Sequence, residues 1–189
     1  VYDSDYAVED PSSISNKYQR LCEILEEIFE KGEKVVIFTS FKKMIDMLCN
    51  DIKQRYGVYV NYIDGSVPAK ERQLTIDEFG TVVGAGALVL NPKAAGAGLN
   101  ITCANHAIHY NLEWNPAVED QASARVFRRG QEKTVFVHRL YYVDTIEEII
   151  NEKIQNKRIL SDNAIIGNTG STTDQEYLIK ALSASPYKH

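Results

Sequence analysis

The sequence predicts an α/β domain built on a mostly parallel sheet, and three observations carry that expectation. Short apolar runs of strand length alternate with helical segments of about 10–15 residues, the pattern of strand–helix–strand units. Val35-Val36-Ile37-Phe38 is apolar throughout, as a strand covered on both faces requires. The composition, 44% hydrophobic and 25% charged over 189 residues, is that of a chain able to bury a core.

The elements follow in order. Residues 1–16 are polar and acidic around Pro11-Ser12-Ser13 and read as a linker or flexible arm. From Lys17, Leu21, Ile24, Leu25 and Ile28 recur at helical spacing to about Lys31, where Gly32 ends the helix. A strand fits 35–38, and a helix fits 42–55 through Met44, Ile45, Leu48 and Ile52, punctuated by Gly57. A strand fits 58–63, and Pro68 opens a helix with Leu74, Ile76 and Phe79 on its apolar side. Further strands fit 87–90, 106–110 and 135–142, and helices fit 116–127 and 145–160. Residues 161–189 read as a C-terminal tail with a short helix near 174–183, leaving 17–160 as the domain.

Charge and cysteine content narrow the function classes. The formal net charge is −5, which disfavours a free-standing non-specific nucleic-acid binder. That total hides a gradient: residues 1–33 carry 3 basic and 9 acidic side chains, and residues 121–160 carry 8 basic and 5 acidic. No apolar run approaches the roughly 18 residues needed to span a bilayer. Cys22, Cys49 and Cys103 lack metal-ligand spacing and read as buried thiols of a reducing compartment. The chain opens at Val1, as a segment of a longer protein would.

In an open parallel sheet, ligands sit beyond the C-terminal strand ends, so the loops after Phe38, Ile63, Leu90 and Tyr110 are the informative ones. Thr39 and Ser40 can cap the following helix or face a phosphate, since both uses draw on the same orphan N–H groups. Asp64-Gly65-Ser66 reads as a glycine turn, followed by a solvated Arg72. Lys93 precedes a small-residue stretch, 94–98, that allows close backbone approach. In 114–131, Arg125 and Arg128 are spaced to share a helix face, with Gln121 one turn earlier. Two guanidinium forks beside an amide suit a polyphosphate; a solvated basic helix end is the plain alternative.

Together these segments resemble the second RecA-like lobe of the Swi/Snf family of ATP-dependent DNA translocases, within helicase superfamily two. The resemblance joins KVVIFTSF, YIDGSVPAKERQLTIDEF, KAAGAGLNIT, YNLEWNPAVEDQASARVFRRGQ and VFVHRLYYVDTIEEII, and covers residues 17–160. It implies a three-layer α/β/α domain that works with an N-terminal RecA-like lobe, ATP with Mg²⁺ and the backbone of double-stranded DNA. It assigns Arg128 as the arginine finger, with Arg125 beside it on the γ-phosphate and Gln121 orienting near the nucleotide. Gly96, Gly98 and Asn100 shape the loop linking nucleotide state to DNA grip. Thr39, Ser40 and Lys93 approach the DNA backbone, and Trp114 and Asn115 couple the two surfaces on the DNA side.

The chain departs from the family pattern where Ala124, Phe127 and Arg129 replace Asp, His and Ile, and where Asn91-Pro92 replaces a hydroxyl pair. These changes point to a divergent branch, prokaryotic rather than a eukaryotic remodeller. The implied location is cytoplasmic and nucleoid-associated, or nuclear in a eukaryote. They also keep open a non-catalytic interaction module with degenerate motor motifs. No Walker-A string occurs, so the chain alone is not expected to hydrolyse ATP.

Overall fold

A computed structural model describes residues 15–95 and 98–164, with side chains to residue 156. In chain order the elements are α1 (Asn16–Glu30), β1 (Lys34–Phe38), α2 (Lys42–Tyr56), β2 (Tyr59–Ile63), α3 (Ala69–Thr81) and β3 (Gly86–Leu90). Then come α4 (Pro92–Ala95), β4 (His106–His109), α5 (Pro116–Ser123), β5 (Phe136–Arg139) and α6 (Ile146–Ala164). The five strands form one sheet in the order β2-β3-β1-β4-β5, and every pairing is parallel.

Strand alternation divides the core into two layers. Val35, Ile37, Ala87, Val89 and Ile108 face Leu21, Leu25 and Ile28 of α1 and Ile45, Leu48 and Ile52 of α2. Val36, Phe38, Leu88, Leu90 and Ala107 face Ile76 and Phe79 of α3, Ala122 of α5 and the buried Val126 beyond it. The expected three-layer α/β/α architecture with a parallel sheet is therefore the observed one. Burial on both faces explains why β1 and β3 are buried along their whole length. Lys34, at the start of β1, is buried too: its Nζ donates to the carbonyls of Phe79 at 2.9 Å and Gly80 at 3.0 Å, near the C-terminus of α3.

The strand order places the functional edge. From β1 the chain moves outward through α2 to β2, on one face. From β3 it crosses β1 to β4 by way of α4 and the buried Leu99 and Ile101, on the other face. The C-terminal ends of β1, β3 and β4 thus meet at a topological switch point, where open α/β sheets form ligand crevices.

Several boundaries differ from expectation. α1 begins at Asn16, because Ser15 is its N-cap and accepts the Tyr18 N–H at 3.2 Å. The arm expected over 1–16 otherwise lies outside the described residues, as does the tail beyond Ala164 with its expected helix near 174–183. β5 stops at Arg139, not 142, with exposed Tyr141, Tyr142 and Val143 forming the loop into α6. Pro92–Ala95 forms a short helix that periodicity did not indicate. Of the three free cysteines only Cys22 is buried; Cys49 and Cys103 are partly exposed. No described helix is long and apolar enough to cross a membrane.

The interior position of β3, between β2 and β1, gives a direct stability test. Leu88→Ala should lower unfolding stability by about 2–5 kcal/mol in urea titrations. Val83→Ala, at a side chain left almost wholly in solvent, should change it by less than about 0.5 kcal/mol.

Candidate functional site

The loops at the switch point are bonded to one another. Thr39 is fully buried, and its hydroxyl donates to Asn111 Oδ1 at 2.6 Å. Ser40 Oγ donates to a carboxylate oxygen of Glu113, and its carbonyl accepts from Asn91 Nδ2 at 3.3 Å. Neither residue caps α2, whose N-cap is Phe41 without a side-chain bond. The hydroxyl pair therefore ties the β1 loop to the β4 loop, and the Ser40 carbonyl ties it to the β3 loop. Thr39 is too deep to contact a DNA backbone as expected, whereas Ser40 stays partly accessible.

The β2 loop is also more ordered than a plain glycine turn. The turn is made by the Asp64 carboxylate, which accepts the Ser66 N–H at 2.8 Å and the Ser66 hydroxyl, while Gly65 does not need a positive φ. The Ser66 hydroxyl, above all, holds the Asp64 carboxyl below its ordinary 3.8, with burial opposing and Lys42 assisting. Arg72 is not a solvated side chain. Its Nε donates to the Val67 carbonyl at 2.9 Å and its Nη1 to the Ala94 carbonyl at 3.3 Å, stapling the β2 loop to α4.

After β3, Asn91 Oδ1 accepts the Lys93 N–H at 3.0 Å, and the Asn91 carbonyl receives Ala94 and Ala95. This is helix capping, with Pro92 at the first position, where its missing N–H is no loss. Lys93 is left exposed at the rim. Gly98 is exposed in the left-handed region at φ 80°, with nothing near an added Cβ, so the loop bends here into open space. Asn100 is exposed close by. Gly96 lies outside the described residues.

The β4 loop and α5 are organised around a carboxylate. Asn115 caps α5, accepting the Ala117 N–H at 3.1 Å, with Pro116 next. Glu119 is fully buried; Oε1 accepts the Glu113 N–H at 3.1 Å and Oε2 accepts Arg139 Nε at 3.1 Å. One charge thus joins the β4 loop, α5 and β5. Trp114 is partly exposed, with Lys153 of α6 over its ring.

The arginine pair does not ride on a helix. α5 ends at Ser123, because the Arg125 carbonyl turns to accept the Ile101 N–H at 2.9 Å and Val126 turns into the core. Residues 124–130 form tight turns, so Gln121 does not share a continuous helical face with the two arginines. Arg128 is exposed, and its Nη1 reaches the carbonyls of Gly98 at 3.5 Å and Leu99 at 3.4 Å. The β3–β4 loop and the arginine turn are therefore adjacent. Gln131 Nε2 locks that adjacency by donating to the carbonyls of Ala104 at 2.7 Å and Thr102 at 3.1 Å.

Ser40, Lys93, Trp114 and Asn115 thus lie just beyond the C-terminal ends of β1, β3 and β4, while Gly98 and Arg128 lie further along, in the connections from α4 to β4 and from α5 to β5. Sequence reasoning gave no role to Glu119, Arg139, Gln131 or Asn111. The Glu119 signal was present: it shares a helical face with Ala122 and Val126, an acid at an apolar position.

Comparison with known proteins follows the same lines. The helicase conserved C-terminal domain matches residues 16–130. RAD54B of Gallus gallus, a DNA repair and recombination protein, is 38% identical over 165 residues, covering 85% of this chain and 18% of RAD54B. The C-terminal part of the Fun30 ATPase domain superposes with a TM-score of 0.72 at 34% identity, covering 77% of this chain and 47% of that one. The Sulfolobus solfataricus SWI2/SNF2 ATPase core in complex with double-stranded DNA superposes with a TM-score of 0.66 at 38% identity. That match covers 80% of this chain and 32% of the core.

Fold and edge together define a RecA-like, helicase-type motor lobe. The chain belongs to the helicase conserved C-terminal domain family, as the C-terminal lobe of the Swi2/Snf2 type. It spans under a fifth of RAD54B. YwqA of Bacillus subtilis is also 38% identical, over 151 residues, so similarity at this level does not decide between a prokaryotic and a eukaryotic branch.

Two outcomes test this site. Removing Arg139 strands a buried carboxylate, so Arg139→Ala should destabilise the fold by about 3 kcal/mol, and adding Glu119→Gln should restore part of that loss. A carboxyl depressed on folding contributes stability above its ordinary value and loses it as pH falls through the folded value. Asp64→Asn should therefore flatten the fall in urea midpoint below about pH 4, compared with the parent chain.

Proposed function

We propose that this lobe supplies half of an ATP cleft and part of a DNA track, the other half coming from an N-terminal RecA-like lobe. The observation that carries the proposal is the exposed Arg128 guanidinium, held against the Gly98 and Leu99 carbonyls in the connection from α4 to β4. A flexible cation resting on weak, long hydrogen bonds can leave them for a stronger anionic acceptor at little cost.

ATP is the substrate such a site fits. Phosphoryl transfer requires a phosphate cradle with a lysine, a carboxylate for Mg²⁺ and stabilisation of charge on the transferring group. This chain suits only the last of these. Its loop after β3 opens a four-residue helix with Pro92 at the first position, which offers no extended N–H cradle. The cradle and the Mg²⁺ carboxylate fall to the preceding lobe. When the cleft closes, Arg128 and Arg125 approach the γ-phosphate, and Gln121 lies on the helix leading to them. Guanidinium groups aimed at developing charge in a water-poor cleft stabilise the transition state more than the ground state.

DNA contact falls to the neighbouring rim: Ser40, Lys93, Asn115 and Trp114, with Gly98 and Asn100 in the loop between rim and arginines. Moving Arg128 off the Gly98 and Leu99 carbonyls releases that loop, which gives nucleotide state a route to the DNA side. Contacts to phosphates make such binding sequence-independent and salt-sensitive. The domain limits proposed are 17–160, flanked by a linker and a tail.

In the two-lobe protein, Arg128→Ala should reduce DNA-stimulated ATP turnover by about 10³–10⁵-fold with DNA affinity little changed. Turnover at the parent rate would remove the finger assignment.

A further inference from the structure

We propose that Lys153 is a positioning residue for Trp114, through which α6 holds the loop that leads into the arginine turn; the inference rests on the motor reading above. Lys153 Nζ lies 4.6 Å from the centroid of the Trp114 ring. Lys153 is only 5% exposed, whereas Trp114 is 40% exposed. Burial removes water from the ammonium and strengthens its attraction to the negative face of the ring. One part of the ring is thus fixed from within the protein while the rest faces outward, where a ligand can meet it.

Both ends of this contact are anchored. Trp114 stands between Glu113, which accepts from Ser40 and donates its N–H to Glu119, and Asn115, the N-cap of α5. The position of the ring therefore bears on where α5 begins. On the other side, the first turn of α6 is tied to the start of α1. Glu147 accepts Lys17 Nζ at 2.8 Å and the Tyr142 N–H at 2.9 Å, and the Tyr142 hydroxyl pairs with Ser15 Oγ. Ser15 is the N-cap of α1. Glu147 and Lys153 are six residues apart on one helix, about 9 Å along its axis. α6 is thus a strut from the start of α1 to the tryptophan. The strut fixes Trp114 in one orientation for an incoming DNA strand, so that DNA binding and arginine placement are set together.

Trp114 is the single tryptophan of the chain, so its fluorescence reads the contact without interference. In the 189-residue chain, Lys153→Met should raise acrylamide quenching of the ring about twofold, and Lys153→Arg should keep the parent value, since a guanidinium also binds aromatic faces. Far-UV circular dichroism establishes that each variant is folded, and Lys153→Gln serves as the neutral variant where the Met form is not. In the two-lobe protein, the neutral variant should raise the DNA concentration for half-maximal ATPase activation about tenfold, with a smaller change in turnover at saturating DNA and recovery in Lys153→Arg. Unchanged quenching in the neutral variant overturns the contact. Increased quenching with unaltered DNA activation overturns the coupling role. Because quenching does not depend on catalysis, either result is distinct from failure of the arginine-finger reading, which Arg128→Ala addresses.

Discussion

The buried carboxylate of Glu119 is the interaction around which the functional edge is built. It accepts the Glu113 N–H from the β4 loop and the Arg139 guanidinium from β5, while itself belonging to α5. A charge at full burial is tolerable only when paired and hydrogen-bonded, and here both conditions are met by groups from different elements. Fixing Glu113 in turn fixes Ser40, and the neighbouring Thr39–Asn111 bond brings the end of β1 into the same assembly. An apolar side chain at position 119 could fill the space but could not set the orientation of the loop.

That frame carries one loosely bonded component. Around Arg128 the bonds are long and the side chain is exposed, in contrast to the short bonds of Thr39 and Gln131. On the proposed reading the contrast suits the role: the loops are pre-formed, and the arginine can change acceptor. Preorganised donors in a closing cleft then act without reorganisation at the moment of reaction. The same frame explains how Ala124, Phe127 and Arg129 are accommodated. All three project into solvent, and Phe127 is 73% exposed, so the core beneath them rests on Ala122 and Val126 instead.

Much of the fold was legible in the sequence, because an all-apolar strand and a 3.6-residue repeat are direct consequences of two-sided and one-sided burial. β1, β3, α1 and α2 were readable for that reason. What was not readable was decided by tertiary bonds. α5 stops at Ser123 because Ile101, distant in sequence, takes the Arg125 carbonyl; no local signal marks that end, and continued helical spacing misled. Arg72 looked solvated because its acceptors are backbone carbonyls, which every sequence has and none displays. Thr39 looked like a contact residue because a hydroxyl after a strand serves equally well as an internal tie. Arg125 and Arg128 could be singled out by type and spacing, but their different settings, one bonded through its backbone to the core and one resting on a loop, required the structure.

The central claim is that this chain is half of a nucleotide site. Isothermal titration of the 189-residue chain with Mg·ATP, beside the same titration of the two-lobe protein, tests it most directly. The account predicts no saturable binding by the isolated chain at ATP concentrations that saturate the two-lobe protein. Saturable binding to the isolated chain with the affinity of the two-lobe protein would contradict it.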